Sequence, residues 1–116
     1  MARVKALLRR YRIATSQVVE VGSLCLDRKT YRCRLGDQEI PLPPKEFELL
    51  FMLAGDPGRT FTRDQLIEQI WGYDYEGDER TVDVHIRRLR ARFDQPGSPF
   101  VIRTVRGLGY RLEACS

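Results

Sequence analysis

Short runs of alternating polar and apolar residues occupy the chain from residue 18 to residue 42. The runs VVEVG, SLCLD, TYRCRL and QEIPL are separated by turn-forming residues at 22–23, 27–29 and 36–37. An alternation with a period of two between such turns is typical of half-buried β-strands. We therefore predict three or four short antiparallel strands, in a small sheet that lays one face on an apolar layer.

Two helices are predicted after this sheet. The first has Pro44 in its first turn and an apolar stripe over residues 47–54, before a Gly-Asp-Pro-Gly sequence ends it. The second follows Thr62 and continues to Gly72. Thr62 and Gln65 form a capping-box pattern, in which each side chain accepts a hydrogen bond from the backbone of the other residue.

A third helix is predicted from Arg80 to Phe93, and Pro96-Gly97 ends that region. Two short strands follow at 100–104 and 110–112, and the sequence VRGLG between them predicts a hairpin with a glycine-rich tip. The whole pattern predicts an α+β fold: an N-terminal antiparallel β-sheet, a three-helix core and a C-terminal β-hairpin wing. This arrangement is the winged form of the helix-turn-helix.

The residues ahead of the sheet form a separate predicted unit. The sequence ARVKALLRRY places Val4, Leu7, Leu8 and Tyr11 on one stripe with basic residues between them, as in a short amphipathic helix. Because so short a helix is marginal in water by itself, we expect its stripe to pack against another part of a longer protein. Residues 13–17 are predicted to be a linker.

The net charge of +4 is distributed unevenly along the chain. Residues 1–14 carry five basic and no acidic side chains, whereas residues 15–79 carry seven basic and thirteen acidic ones. Residues 80–116 carry eight arginines and no lysine against three acidic residues. Since arginine suits bidentate contacts to guanine and phosphate, this C-terminal part is predicted to face a polyanion.

Several classes of protein are excluded by the same composition. No apolar run approaches the roughly 18 residues that span a membrane, and no signal peptide is recognisable, so we expect a cytoplasmic location. The cysteines at 25, 33 and 115 and the single histidine argue against a zinc site and indicate reduced thiols. Without a phosphate-binding loop, paired catalytic carboxylates or a nucleophile constellation, we expect no enzyme, no cofactor and no metal.

The third helix has two chemically different faces. Its predicted buried stripe follows helical spacing and consists of Val82, Ile86, Leu89 and Phe93. The opposite positions are Thr81, Val84, Arg88 and Ala91, with Arg80, His85, Arg87 and Arg92 on the flanks. Because this face holds no acid and its small residues permit close approach, we predict that it reads DNA base edges. A basic surface helix without a nucleic-acid role is the alternative.

Two neighbouring side chains complete this prediction. Asp83 precedes Arg87 by four residues, which predicts an ion pair that positions the arginine. Arg106 lies at the thin tip of the predicted hairpin, where an arginine is placed to enter an adjacent minor groove. The alternative for Arg106 is a turn arginine in solvent.

Four runs of this sequence resemble a known family. LPPKEFELL, GRTFTRDQLIEQIWG, RTVDVHIRRLRARF and IRTVRGLGYRL are similar, in order and spacing, to the effector domain of OmpR/PhoB-type response regulators. The resemblance covers residues 18–113, and ARVKALLRRY resembles the last helix of the preceding receiver domain. It implies a receiver-helix remnant and linker at 1–17 and a winged-helix DNA-binding domain at 18–116, which binds double-stranded promoter DNA sequence-specifically.

The resemblance also implies roles for individual residues. Val84 and Arg88 would face the bases, and Arg106 would enter the minor groove. Thr81, on the outward side of the same helix, is a further predicted DNA-binding residue. The residues implied to contact or flank the phosphate backbone are Arg63, Trp71, Arg80, His85, Arg87, Thr104 and Tyr110. For Trp71, Tyr110 and Phe93 a packing role in the core is an equal alternative.

Further partners are implied by the same resemblance. The acidic loop at 72–79 corresponds to the one with which such regulators touch RNA polymerase, although a plain solvated loop is the alternative. It consists of Gly72, Tyr73, Asp74, Tyr75, Glu76, Gly77, Asp78 and Glu79. A receiver domain in the full-length protein and a dimer on tandem half-sites are implied as well.

One position departs from the family pattern. The first core helix usually opens with Ser or Thr three residues before its glutamate, whereas this chain has Pro43 before Glu46. The missing hydroxyl cap costs about 1 kcal/mol of stability and leaves the DNA face unaffected. Two other functions remain open, a winged helix that binds an acidic protein and an RNA-binding module. The latter lacks its aromatic sheet signature.

Overall fold

The computed structural model describes residues 17–72, 80–94 and 96–115. Four strands open it: β1 (Val18–Val21), β2 (Leu24–Asp27), β3 (Arg32–Leu35) and β4 (Gln38–Glu39). They form one antiparallel sheet in the order β1-β2-β3-β4. The prediction of a small N-terminal antiparallel sheet is therefore confirmed. The predicted helix at 3–12 and residues 13–16 of the predicted linker at 13–17 lie outside the described residues.

The three predicted helices are all present. They are α1 (Pro44–Ala54), α2 (Arg63–Ile70) and α3 (Arg80–Arg92). The capping box forms at the start of α2, where the Gln65 amide donates to Thr62 Oγ1 and the Thr62 amide donates to Gln65 Oε1. Helix α1 has no side-chain cap at Pro43, as its sequence indicated.

A second, three-stranded sheet contains the C-terminal hairpin. Its strands are β5 (Thr60–Thr62), β6 (Phe100–Val105) and β7 (Gly109–Ala114), in the order β5-β7-β6. The hairpin was predicted with shorter strands, and β5 was not predicted at all. Three residues between two helices carry no periodicity of their own, and β5 exists because β7 pairs with it, Phe61 opposite Tyr110.

The hydrophobic core lies between the first sheet and the helices, with α1 at its centre. Helix α1 contacts β1, α2, α3 and β7, which explains why Phe47, Leu49, Leu50 and Leu53 are fully buried. The core thus holds α3 from behind and leaves its other side available for a ligand. None of the helices in the described part of the chain is long and apolar enough to cross a membrane.

All three cysteines are free thiols. Cys33 is buried, and this burial, with a contribution from Cys25, raises the pKa of its thiol to about 12. The Cys33 thiol therefore stays protonated at neutral pH and acts as a small apolar core residue.

Candidate nucleic-acid interface

Helix α3 turns one face into the core and the opposite face outward. Val82, Ile86 and Leu89 are fully buried, and Phe93 directly after the helix is 4% exposed. Val84 is 37% exposed, and Arg88 on the same side is exposed too. The predicted stripe is therefore confirmed, and the outward face combines an apolar side chain with arginine.

The arginines of α3 divide into two groups. Arg80, Arg87 and Arg88 are exposed on the outward side. Arg90 and Arg92 are exposed as well, and their side chains bind residues of other elements of the domain. The Arg92 Nε donates to Glu46 Oε1 over 2.8 Å, and its Nη1 donates to the carbonyl of Pro41. Helical spacing predicted Arg92 on a flank of the DNA face, but its side chain pairs with Glu46, which is 1% exposed.

Asp83 connects three elements of the domain. Its Oδ1 accepts hydrogen bonds from Arg63 Nε, over 2.9 Å, and from the Tyr110 hydroxyl, over 2.5 Å. The predicted partner, Arg87, was wrong, because Asp83 points toward α2 and β7 and Arg87 contributes only to the field around it. Asp83 therefore ties α3 to the start of α2 and to the wing.

The titration behaviour of this group follows from its hydrogen bonds. Burial opposes ionisation of Asp83, but the hydrogen bonds from Tyr110 and Arg63 outweigh it and hold the pKa of Asp83 below its ordinary value of 3.8. Burial and the bond to Asp83 raise the pKa of the Tyr110 phenol. The carboxylate is therefore charged, and the phenol neutral, throughout the physiological range.

A pH-dependent contribution to stability is expected from Asp83. Because its folded pKa lies below the unfolded one, the contribution is complete above about pH 4 and is lost as the pH falls through the folded pKa. We expect Asp83→Asn, which cannot titrate, to lower the free energy of unfolding by about 0.5–1 kcal/mol at pH 7, since the carboxylate is partly exposed. Urea unfolding at pH 3 to 7 measures the gap in free energy of unfolding between the wild-type protein and Asp83→Asn. This gap should close at low pH. A gap that stays constant over this range contradicts the assignment.

Tyr110 and Arg63 were both implied to contact or flank the phosphate backbone. Tyr110 is 5% exposed and its hydroxyl is used by Asp83, so the packing alternative describes it better than a direct contact. Arg63 lies with its guanidinium 5.3 Å from the centre of the Tyr110 ring, and its Nε is used by Asp83. Only the terminal nitrogens of Arg63 remain for a phosphate.

Three half-buried residues line the flank of α3 near the end of α2. His85 Nδ1 lies 2.7 Å from the carbonyl oxygen of Thr81, so this nitrogen carries the proton and donates it. The Trp71 ring meets the His85 ring edge to face, at 5.0 Å between centres. Packing against Trp71 and bonding to Thr81 fix the orientation of the imidazole and direct its Nε2 away from the helix backbone.

The wing ends in a narrow turn of three residues. The Leu108 amide donates to the carbonyl of Val105, and Gly107 has a φ of 78°, which glycine adopts without strain. Arg106 is exposed as predicted, and Leu108 beside it is 56% exposed. The exposure of Leu108 was not predicted, although a leucine between two turn glycines has no core to enter. Thr104 is also exposed, and its Oγ1 accepts from Arg90 Nη2.

The residues that were implied to contact DNA differ in how exposed they are. The ones that are exposed on the outward face and the wing are Arg80, Val84, Arg87, Arg88, Thr104 and Arg106. The ones that are half-buried or buried behind them are Arg63, Trp71, Thr81, His85 and Tyr110. Gly72 is described, with a φ of 99°, whereas residues 73–79 of the predicted polymerase loop lie outside the described residues.

Comparison with known proteins gives consistent matches. A family profile described as "Transcriptional regulatory protein, C terminal" matches residues 37–112. The heme response regulator HssR of Staphylococcus aureus strain JH9 is 51% identical over 111 residues, which cover 96% of this chain and 50% of HssR. The chain therefore spans about half the length of the curated relatives that it matches.

Two solved structures are similar over most of the chain. The response regulator DrrB of Thermotoga maritima, an OmpR/PhoB homolog, has a TM-score of 0.75 and 35% identity, covering 97% of this chain and 50% of DrrB. The DNA-binding domain of Klebsiella pneumoniae RstA, in complex with the RstA box, has a TM-score of 0.72 and 34% identity. That match covers 84% of this chain and 97% of the RstA domain.

Proposed function

The chain belongs to the family of C-terminal domains of transcriptional regulatory proteins, the DNA-binding effector domains of OmpR/PhoB-type response regulators, and on this premise we propose how it contacts DNA. Helix α3 enters the major groove of a promoter duplex, with Val84 and Arg88 toward the bases. The hairpin of β6 and β7 is the wing, and its Arg106 enters the adjacent minor groove.

One observation supports this proposal above the others. The buried stripe of α3 lies directly opposite the face that carries Val84 and Arg88, so the core itself orients these two side chains outward. The exposed valine has the size and chemistry to contact a thymine methyl group, and the arginine has the donors for guanine O6 and N7.

The remaining residues are proposed to position the domain on the duplex. Arg80, Arg87 and Thr104 contact phosphates, with Thr81 near the bases and Trp71 and His85 at the backbone on the flank of α3. Arg63 reaches a phosphate only with its terminal nitrogens, and Tyr110 supports this surface from behind. Phosphate contacts of this kind fix register but do not distinguish sequences.

A pair of arginine variants tests the division between base reading and positioning. We expect Arg88→Ala to weaken binding to the cognate duplex by about 1–3 kcal/mol while hardly changing binding to scrambled duplexes, because it removes a base contact. The matched variant Arg87→Ala should weaken both duplexes about equally and reduce the slope of log K against log salt by about one. The cognate duplex is first obtained by selection from random sequences.

Salt titration distinguishes the DNA-binding function from its alternatives. The proposal requires a steep loss of duplex affinity with salt and a clear preference for cognate over scrambled DNA. Equal binding of both duplexes, with no selective effect of Arg88→Ala, contradicts the recognition assignment. Tighter binding to single-stranded RNA, or to an acidic protein, favours one of the other two functions.

The partners of the whole regulator are proposed on the family relationship. Residues 1–17 are assigned to the last receiver helix and linker and residues 18–116 to the effector domain, since the relatives are about twice as long. A receiver domain controls when the effector acts, the loop at 72–79 touches RNA polymerase, and active regulators bind tandem half-sites as dimers. The family is one of transcription regulators, so we propose no enzymatic activity, and a cytoplasmic place of action at promoter DNA.

A further inference from the structure

Arg90 holds the wing against α3. Its Nε and Nη2 both donate to the carbonyl oxygen of Ile102, over 3.1 and 2.8 Å, and Nη2 also donates to Thr104 Oγ1 over 2.8 Å. The guanidinium carbon lies 5.7 Å from the centre of the Tyr110 ring. The Arg90 side chain therefore contacts two residues of β6 and one of β7 at once.

The Arg90 contacts lie close to the tip of the wing. Thr104 and Tyr110 face each other in the β6–β7 register, and Val105 and Gly109 form the next and last pair before the turn. Arg106 follows Thr104 by only two residues. Only the Val105–Gly109 pair separates the Arg90 contacts from the turn. A shift of the strands at these contacts therefore also moves the Arg106 side chain.

A second residue of α3, Asp83, holds the β7 side of the same hairpin position. The Tyr110 hydroxyl donates to Asp83 of α3, and Asp83 also accepts from Arg63 at the start of α2. Asp83 and Arg90 are two turns apart on α3, so the helix holds the hairpin at two points along its length. Pairing with β5 also holds β7, whereas β6 is the edge strand of its sheet and is bonded to α3 through Arg90.

We propose that Arg90 is a positioning residue, which sets the span between the base-reading face of α3 and Arg106 at the wing tip. This inference rests on the proposed function, in which the helix and the wing contact neighbouring grooves at the same time. Changing the separation of these grooves requires deformation of the duplex, which costs energy, so a rigid span of matching length allows both contacts without that cost. Arg90 thus acts on minor-groove binding through Arg106.

A double-mutant cycle of Arg90→Lys and Arg106→Ala tests this coupling. Lysine preserves the charge of residue 90 but cannot make the forked bonds to Ile102 and Thr104, so a change in affinity does not come from lost attraction to DNA. We expect Arg106→Ala to weaken cognate binding about tenfold in the wild-type background and less than about threefold in the Arg90→Lys background. The salt slope should fall by about one with Arg106→Ala in the first background only.

The same cycle with Arg87→Lys is the matched control. Arg87 is an exposed arginine on the same helix, so its effect and that of Arg106→Ala should combine to within about twofold. Thermal unfolding checks that every variant is folded. Arg90→Gln, which keeps a single donor group, replaces Arg90→Lys if the lysine variant unfolds, with the same expected coupling.

The outcomes separate the inference from the proposed function. If Arg106→Ala costs about tenfold in both Arg90 backgrounds, Arg90 does not position the wing and the inference is overturned, while the proposed function stands. If Arg106→Ala has no effect on the wild-type protein, the minor-groove assignment of the wing fails, and the inference with it. The inference is supported if Arg106→Ala is coupled to Arg90→Lys and is not coupled to Arg87→Lys.

Discussion

Replacing Gly109 by alanine is expected to lower the free energy of unfolding by about 3 kcal/mol, because the added methyl group has no room beside β5. Gly109 lies opposite Thr62 in β5 and opposite Val105 in β6. A Cβ atom there would overlap the carbonyl oxygen of Phe61 and lie 2.9 Å from the Cα of Thr62. Both are backbone atoms, so no change of rotamer relieves the overlap, and β5 must separate from β7.

Thermal unfolding measures this effect as a fall of roughly 15 °C in Tm for a domain of this size. Amide exchange should rise in β5 and at Tyr110, where the pairing is broken, and much less in the N-terminal sheet. The control is Gly107→Asn, at a position with positive φ but nothing within 4 Å of an added Cβ. Asparagine tolerates that backbone region, so this variant should unfold close to the wild type. A Gly109→Ala protein that is as stable as Gly107→Asn contradicts the argument.

A second large effect is expected at the ion pair between α1 and α3. Glu46 is 1% exposed, and Arg92 supplies the positive charge that compensates it, over 2.8 Å. Replacing Arg92 by methionine preserves much of the apolar stem but leaves a buried carboxylate without its partner. We expect the free energy of unfolding to fall by about 3 kcal/mol, at the lower end for such losses because Arg92 is one-third exposed.

Two comparisons distinguish the buried charge from general damage to α3. The double variant Arg92→Met/Glu46→Gln removes the uncompensated charge and should be more stable than Arg92→Met alone by about 1–2 kcal/mol. Arg103→Met breaks an ion pair with Glu113 on the exposed side of the wing and should leave the unfolding transition nearly unchanged. Chemical denaturation at pH 7 gives all the required free energies. A double variant less stable than Arg92→Met alone rules out the stranded charge as the cause.

The candidate site was predictable to the extent that it depends on consecutive residues. The helical spacing of Val82, Ile86 and Leu89 predicted which side of α3 is buried, and therefore that Val84 and Arg88 point outward. The glycines at the hairpin turn predicted that Arg106 lies at its tip. These features follow from local backbone geometry, which sequence patterns express directly.

The partners of the charged residues were not predictable in this way. Asp83 was assigned to Arg87 because the two lie four residues apart, whereas its hydrogen bonds come from Arg63 and Tyr110. No contact of Arg90 was predicted from the sequence, although its three hydrogen bonds attach the wing to the helix. Each of these partners lies on another element, at a distance along the chain that no periodic pattern reveals.

The arginines of α3 show where local pattern ends and packing begins. Five arginines on one helix predict a basic surface. The spacing of the apolar residues between them indicates the outward side, on which Arg88 lies. Arg92 binds Glu46 and Arg90 binds the wing because of the position of α1 and β6 against that helix. Helical periodicity is a property of neighbouring residues and can be read from them. The choice of ion-pair and hydrogen-bond partners depends on which distant groups folding brings within about 3 Å, and it therefore emerges only in the folded domain.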